Sequence, residues 1–129
     1  MADDIVLSDL QLDLMRVLWR AGELNVADAT AALGDRDLAH TTVATLLTRL
    51  EKRGVVAARR EGRLLLYRPL VSEAQVKRSM VSSLIAQVFR GDPKALLAHL
   101  VSEREVAPGD LEQVRALLRS DDETDGGTP

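Results

Sequence analysis

One stretch breaks the helical rhythm of this 129-residue chain, and it limits the fold more than any other feature. Val55-Val56-Ala57-Ala58-Arg59-Arg60 and Arg63-Leu64-Leu65-Leu66-Tyr67-Arg68 flank Glu61-Gly62 and stop at Pro69. That is the length and punctuation of a β-hairpin with a tight glycine-containing turn. Leu24 and its neighbours can supply a small third strand. With one Trp, one Tyr and one Phe (Trp19, Tyr67, Phe89), the core has to be built from Leu, Val, Ile and Ala, which favours helices and speaks against an all-β sandwich. The expected class is mainly α with a small β-hairpin. The lack of cysteine removes disulfides, thiolate metal sites and thiol nucleophiles together.

Three helical stripes precede the hairpin. Ser8, with Gln11 three residues on, has the spacing of a capping box, and Leu10, Leu14, Val17, Leu18 and Ala21 repeat at helical period until Gly22. Asn25 is placed to cap a short second helix with Val26, Ala29 and Leu33 inward. After Asp35-Arg36-Asp37, a third helix carries Val43, Leu46, Leu47 and Leu50 at i, i+3, i+4 and i+7 and ends at Gly54. The β-branched Thr41, Thr42, Val43 and Thr45 also suit a strand, but alternation would scatter the stripe over both faces, so helix is the better reading. Beyond the hairpin, Val76, Met80, Val81, Leu84, Ile85 and Val88 share one face between Ser72 and Gly91. Asp92-Pro93 opens a further helix holding Leu96, Leu97, Leu100 and Val101, and Pro108 opens a last one holding Leu111, Val114, Leu117 and Leu118.

Helix, short helix, helix, hairpin is the order of a winged helix-turn-helix, in which the third helix enters the DNA major groove and the hairpin lies over the adjacent backbone. The expected organisation is a winged-helix DNA-binding domain over 1–70, a helical dimerisation domain over 71–119 and a disordered acidic tail over 120–129. The later helices display more apolar surface than a domain of 70 residues covers alone. Val76, Met80, Leu84, Val88, Leu96, Leu97, Leu100, Leu111, Val114 and Leu118 are therefore read as a homodimer interface. No apolar run approaches the roughly 20 residues that span a bilayer, and Met1 leads into acidic residues, so no membrane insertion and a cytoplasmic location are expected.

The net charge of −3 argues against a nucleic-acid partner only until the charges are placed. Residues 1–37 hold eight acids against three arginines, whereas 49–68 hold seven basic residues against Glu51 and Glu61. With Val43, Leu46, Leu47 and Leu50 inward, a 100° step puts Thr41, Thr45, Thr48 and Lys52 at the centre of the opposite face, flanked by Thr42 and Arg49. That face is short-sided and free of acids along its leading turns, so it can approach bases closely; threonine hydroxyls can reach base edges or phosphates, threonine methyls suit thymine methyls, and Arg49 and Lys52 reach the backbone. His40 stands just before it. Arg59, Arg60 and Arg63, clustered around the hairpin turn, read as phosphate clamps.

Three segments carry a family resemblance: L-D-L-M-R-V-L-W from Leu12, T-T-V-A-T-L-L-T-R-L-E-K-R-G from Thr41, and E-G-R-L-L-L-Y-R-P from Glu61. Over about residues 8–119 the chain resembles the penicillinase-repressor (BlaI/MecI) family. The resemblance implies a bacterial homodimeric repressor of inverted repeats of TGTA/TACA type, with recognition contacts falling on Thr41, Thr42, Thr45 and Arg49 and a wing contact on Arg63. It also implies a regulatory protease that cuts an Asn-Phe bond in the dimerisation region of antibiotic-responsive members; the aligned pair here is His99-Leu100. The copper-responsive branch uses cysteine pairs that this chain lacks.

Trp19, on an apolar stripe, reads as core, and His99 as a surface or interface residue. Two histidines without cysteine announce no metal site, and no phosphate-cradling glycine loop or nucleophile elbow is present, so no cofactor and no catalysis are expected. Two further readings stand beside the repressor: a winged helix used for protein contacts, and a regulator responsive to a small molecule.

Overall fold

The computed structural model describes residues 5–126. It is mostly helical, with one small antiparallel sheet, in the element order of a winged helix. The chain divides into two compact units, one reaching to Ser83 and the other starting at Leu84.

The first unit begins with α1 (Asp9–Ala21), started by the expected capping box: Gln11 N donates to Ser8 Oγ at 3.2 Å and Ser8 N to Gln11 Oε1 at 2.9 Å. Gly22 ends it at φ 89°, a conformation that costs a residue with a Cβ. Strand β1 (Leu24–Asn25) leads into α2 (Val26–Ala32), whose Asp28 N donates to Asn25 Oδ1 at 2.8 Å. A 3-10 turn (Gly34–Arg36) joins α2 to α3 (His40–Lys52). The hairpin follows as β2 (Val56–Glu61) and β3 (Leu64–Pro69), with β1 completing a sheet of order β1-β3-β2, antiparallel throughout. Gly62, first of the two turn residues, takes φ 64°, the positive value this loop length demands there.

Leu14, Met15 and Leu18 of α1, Ala29 of α2, Val43, Leu47 and Leu50 of α3, and Val56 and Tyr67 of the sheet form one core. Leu46 is half-buried at its edge. Trp19 packs against this core as read from its stripe, and its Nε1 donates to the Val71 carbonyl at 2.8 Å. Ile5 and Leu7 are buried in the same core, a contribution the sequence reading did not include.

Helix α4 (Glu73–Val88) changes role along its length. Val76 is 1% exposed within the first unit's core and Met80 packs against it, so these two are core residues rather than interface residues. The buried Ser79 Oγ accepts from Ile5 N at 2.6 Å, which further ties the start of α4 to the winged helix. The first unit thus ends near Ser83 rather than at 70, because the helix after the wing supplies part of its core.

The second unit contains the end of α4, then α5 (Pro93–Ser102) and α6 (Pro108–Gly126). Asp92 caps α5, accepting from Lys94 N at 3.0 Å, with Pro93 at the first position. Leu84, Val88, Leu97, Val101, Leu111, Val114, Leu117 and Leu118 are all exposed, while Leu96 and Leu100 are half-buried. Helix α6 runs on to Gly126 where a disordered tail was expected from 120, since no proline or glycine stands between Gly109 and Gly126; residues 127–129 lie outside the described residues. No helix among the described residues is long and apolar enough to cross a membrane.

Candidate nucleic-acid interface

The outward face of α3 exists because its apolar stripe is spent inward. Val43, Leu47 and Leu50 are fully buried, and the same period leaves Thr41, Thr42, Thr45, Thr48, Arg49 and Lys52 exposed. Thr41, Thr42, Thr45, Leu46 and Arg49 line a shallow hollow of about 250 Å³ on this face. The helix starts at the exposed His40 without a side-chain cap at Ala39; Thr42 N donates to the Ala39 carbonyl at 3.0 Å, which leaves the His40 and Thr41 amides and the positive end of the dipole facing a partner. The first turn holds no acid, and Arg49 and Lys52 sit in the last turn.

Two contacts fix how α3 is held. Arg36, in the turn before it, donates through Nε to Asp13 Oδ2 on α1 at 2.9 Å. That guanidinium, joined by Arg16, holds the Asp13 carboxyl below its ordinary value. At the far end Arg53 Nη2 donates to the Val6 carbonyl at 3.1 Å, so this member of the basic cluster is used to anchor the N-terminal segment.

The hairpin divides its arginines. Ala58 pairs with the buried Tyr67, Arg59 with Leu66 and Arg60 with Leu65, so successive residues face opposite sides of the sheet. Arg60 shares the face of Tyr67, and Arg63 occupies the exposed turn. Arg59 lies on the other face, where Nε donates to Glu23 Oε2 at 2.7 Å and Nη2 to Glu23 Oε1 at 2.6 Å and Glu61 Oε2 at 3.0 Å. These carboxylates raise the Arg59 pKa, and the Arg59 hydrogen bonds, with charge from Arg59 and Arg68, hold Glu23 below the usual carboxylate range. A guanidinium chelated by two carboxylates is a strut between β2 and the α1–β1 loop. Among the described residues no ion pair holds Arg49, Lys52, Arg60 or Arg63.

Glu23 is the partner the sequence reading missed. Its signal was present in the register: Leu24 pairs with Tyr67, which puts Glu23 beside Arg68 and on the Arg59 side of the sheet. His99 lies on α5, exposed, with its ring 5.9 Å from that of Phe89, and Leu100 follows it half-buried. The Leu100 carbonyl accepts from the Glu105 and Val106 amides.

The penicillinase repressor family model matches residues 7–120. The methicillin resistance regulatory protein MecI of Mammaliicoccus sciuri is 24% identical over 115 residues, covering 87% of this chain and 92% of its own. The penicillinase repressor of Bacillus licheniformis is 21% identical over 113 residues, covering 87% and 88%. The solution structure of the DNA-binding domain of the repressor BlaI aligns with 54% of this chain and 85% of its own at 30% identity and a TM-score of 0.49. With α3 and its wing presented as above and the family model spanning both units, the chain belongs to the penicillinase repressor family and is a DNA-binding, winged-helix transcriptional repressor rather than an enzyme.

Proposed function

We propose that the chain acts in the cytoplasm as a homodimer that occupies an inverted-repeat operator, one winged helix on each half-site, and releases it when the dimer is lost. Thr41, Thr42, Thr45, Thr48 and Arg49 face the base edges, while His40, Lys52, Arg60 and Arg63 meet the backbone. The observation that carries this reading is the exposed, acid-free leading face of α3 in the same compact unit as Arg60 and Arg63, which no carboxylate among the described residues neutralises. Cations left unpaired beside a short-sided helix match a duplex, whose phosphates fix position while its base edges fix sequence.

The exposed Leu84, Val88, Leu97, Leu111, Val114 and Leu118, with the half-buried Leu96 and Leu100, support the dimer. So many apolar side chains on so small a unit call for a second copy to cover them. Linking two winged helices makes the second half-site an intramolecular target, so losing the dimer lowers operator affinity by about 10²–10⁴ without touching a DNA contact. A regulatory protease acting at His99-Leu100 is one route to that loss; it would first have to open the end of α5, where the Leu100 carbonyl is hydrogen-bonded.

Selection of duplexes from a random inverted-repeat pool, followed by anisotropy titration at several salt concentrations, tests the reading. Enrichment of a palindrome, with log affinity falling linearly against log salt, is expected. Binding that ignores both salt and sequence would overturn it.

A further inference from the structure

The inner threonines of α3 have already committed their hydroxyl protons. Thr45 Oγ1 donates to the Thr41 carbonyl at 2.9 Å, and Thr48 Oγ1 donates to the Ala44 carbonyl at 2.9 Å. A hydroxyl carries a single proton, so while these bonds stand neither side chain can donate to the N7 or O6 acceptors of guanine. The same bonds hold each χ1 in one well, with the oxygen folded back against the helix. What each exposed side chain then offers a partner is a methyl group, beside an oxygen turned back along the helix that can only accept. Thr45 and Thr48 are three residues apart and stand on one face of the helix. The matching group in the major groove is the C5-methyl of thymine.

We propose, resting on the operator-binding reading above, that Thr45 and Thr48 determine specificity by packing their methyls against thymine methyls, and that their hydroxyls serve the helix rather than the base. The usual expectation for threonine, a hydroxyl hydrogen bond to a base edge, is replaced by an apolar contact. Valine should therefore substitute for either residue, and serine should not.

The probe is the duplex that the full chain selects from a random pool, resynthesised with each thymine replaced in turn by deoxyuridine, which keeps every hydrogen-bonding group and loses only the methyl. Replacement at one or two positions per half-site should weaken binding about fourfold, the worth of one buried methyl. Thr45→Val and Thr48→Val should hold affinity within about twofold and keep that sensitivity. Thr45→Ser and Thr48→Ser, which each remove one methyl from both half-sites, should bind the thymine duplex about fifteenfold more weakly and each become indifferent to deoxyuridine at one position per half-site. Indifference of the wild type at every thymine, or valine variants that lose affinity while serine variants keep it, overturns the proposal alone. A pool from which no duplex is enriched overturns the operator reading beneath it. Circular dichroism melts of all four variants confirm that α3 is intact.

Discussion

The two units of this chain treat their apolar residues in opposite ways. In the first, Leu14, Met15, Leu18, Val43, Leu47 and Leu50 are wholly buried, and capping boxes at Ser8 and Ser72 start α1 and α4. In the second, α5 and α6 leave Leu97, Val101, Leu111, Val114, Leu117 and Leu118 exposed, and no hydrophobic residue of either helix is fully buried. The first unit closes its own core. The second has a face without an occupant in the single chain. On the proposed reading the difference separates two tasks: a surface that presents α3 and the wing, and an adhesive surface that would bring two such faces together.

The largest effect should come from making the adhesive surface polar. Leu118→Asp should leave the winged helix folded, shift the chain to monomer in sedimentation, and lower inverted-repeat affinity by about 10²–10⁴ while half-site affinity stays unchanged. Next, Leu14→Ala should cost roughly 2–5 kcal/mol in urea unfolding, the range for a fully buried leucine, whereas Leu117→Ala, at 67% exposure, should stay within about 0.5 kcal/mol at concentrations where the chain is monomeric. Equal costs at the two sites would erase the distinction between the units.

Smaller effects sharpen the account of the first unit. Arg63→Ala should weaken all duplexes alike and reduce the salt slope by about one, while Arg59→Ala should leave that slope unchanged, because its charge is already met by Glu23 and Glu61. Trp19→Phe should cost about 1 kcal/mol in thermal unfolding by removing the donor to Val71. The smallest effect is acid-dependent. Glu23 is held below its ordinary value of 4.5 in the folded chain, so its pair with Arg59 stabilises above that value and is lost as pH falls through the lowered one. Melting temperatures of wild type and Glu23→Gln should therefore differ near pH 7 and converge in strong acid.

Much of this was legible in the sequence, and the rest was not for identifiable reasons. The Ser8 capping box and the Val43–Leu50 stripe are local, set by residues within a few positions of one another, and each took its expected form; the hairpin turn falls on Gly62-Arg63, one residue later than the expected Glu61-Gly62. A helical stripe states which residues share a face but not what covers them. Val76 and Met80 share the stripe of Leu84 and Val88, yet the first pair packs in the winged-helix core and the second is exposed. The ion pair of Arg59 was hidden for a related reason: it depends on Glu23, 36 residues away, which only the β1–β3 register brings near. Ile5 and Leu7 escaped notice because so short a segment shows no period, although both are buried.

In the proposed complex two identical faces act on one duplex. Stoichiometric titration of the selected operator, compared with the same half-sites separated by five further base pairs, tests it most directly. Two recognition helices about 34 Å apart match half-sites one helical turn apart, and half a turn more rotates one of them to the opposite side of the duplex. The account predicts two chains per operator with the affinity of a linked pair, falling to half-site affinity on the respaced duplex. One chain per operator, or affinity unchanged by the insertion, would contradict it.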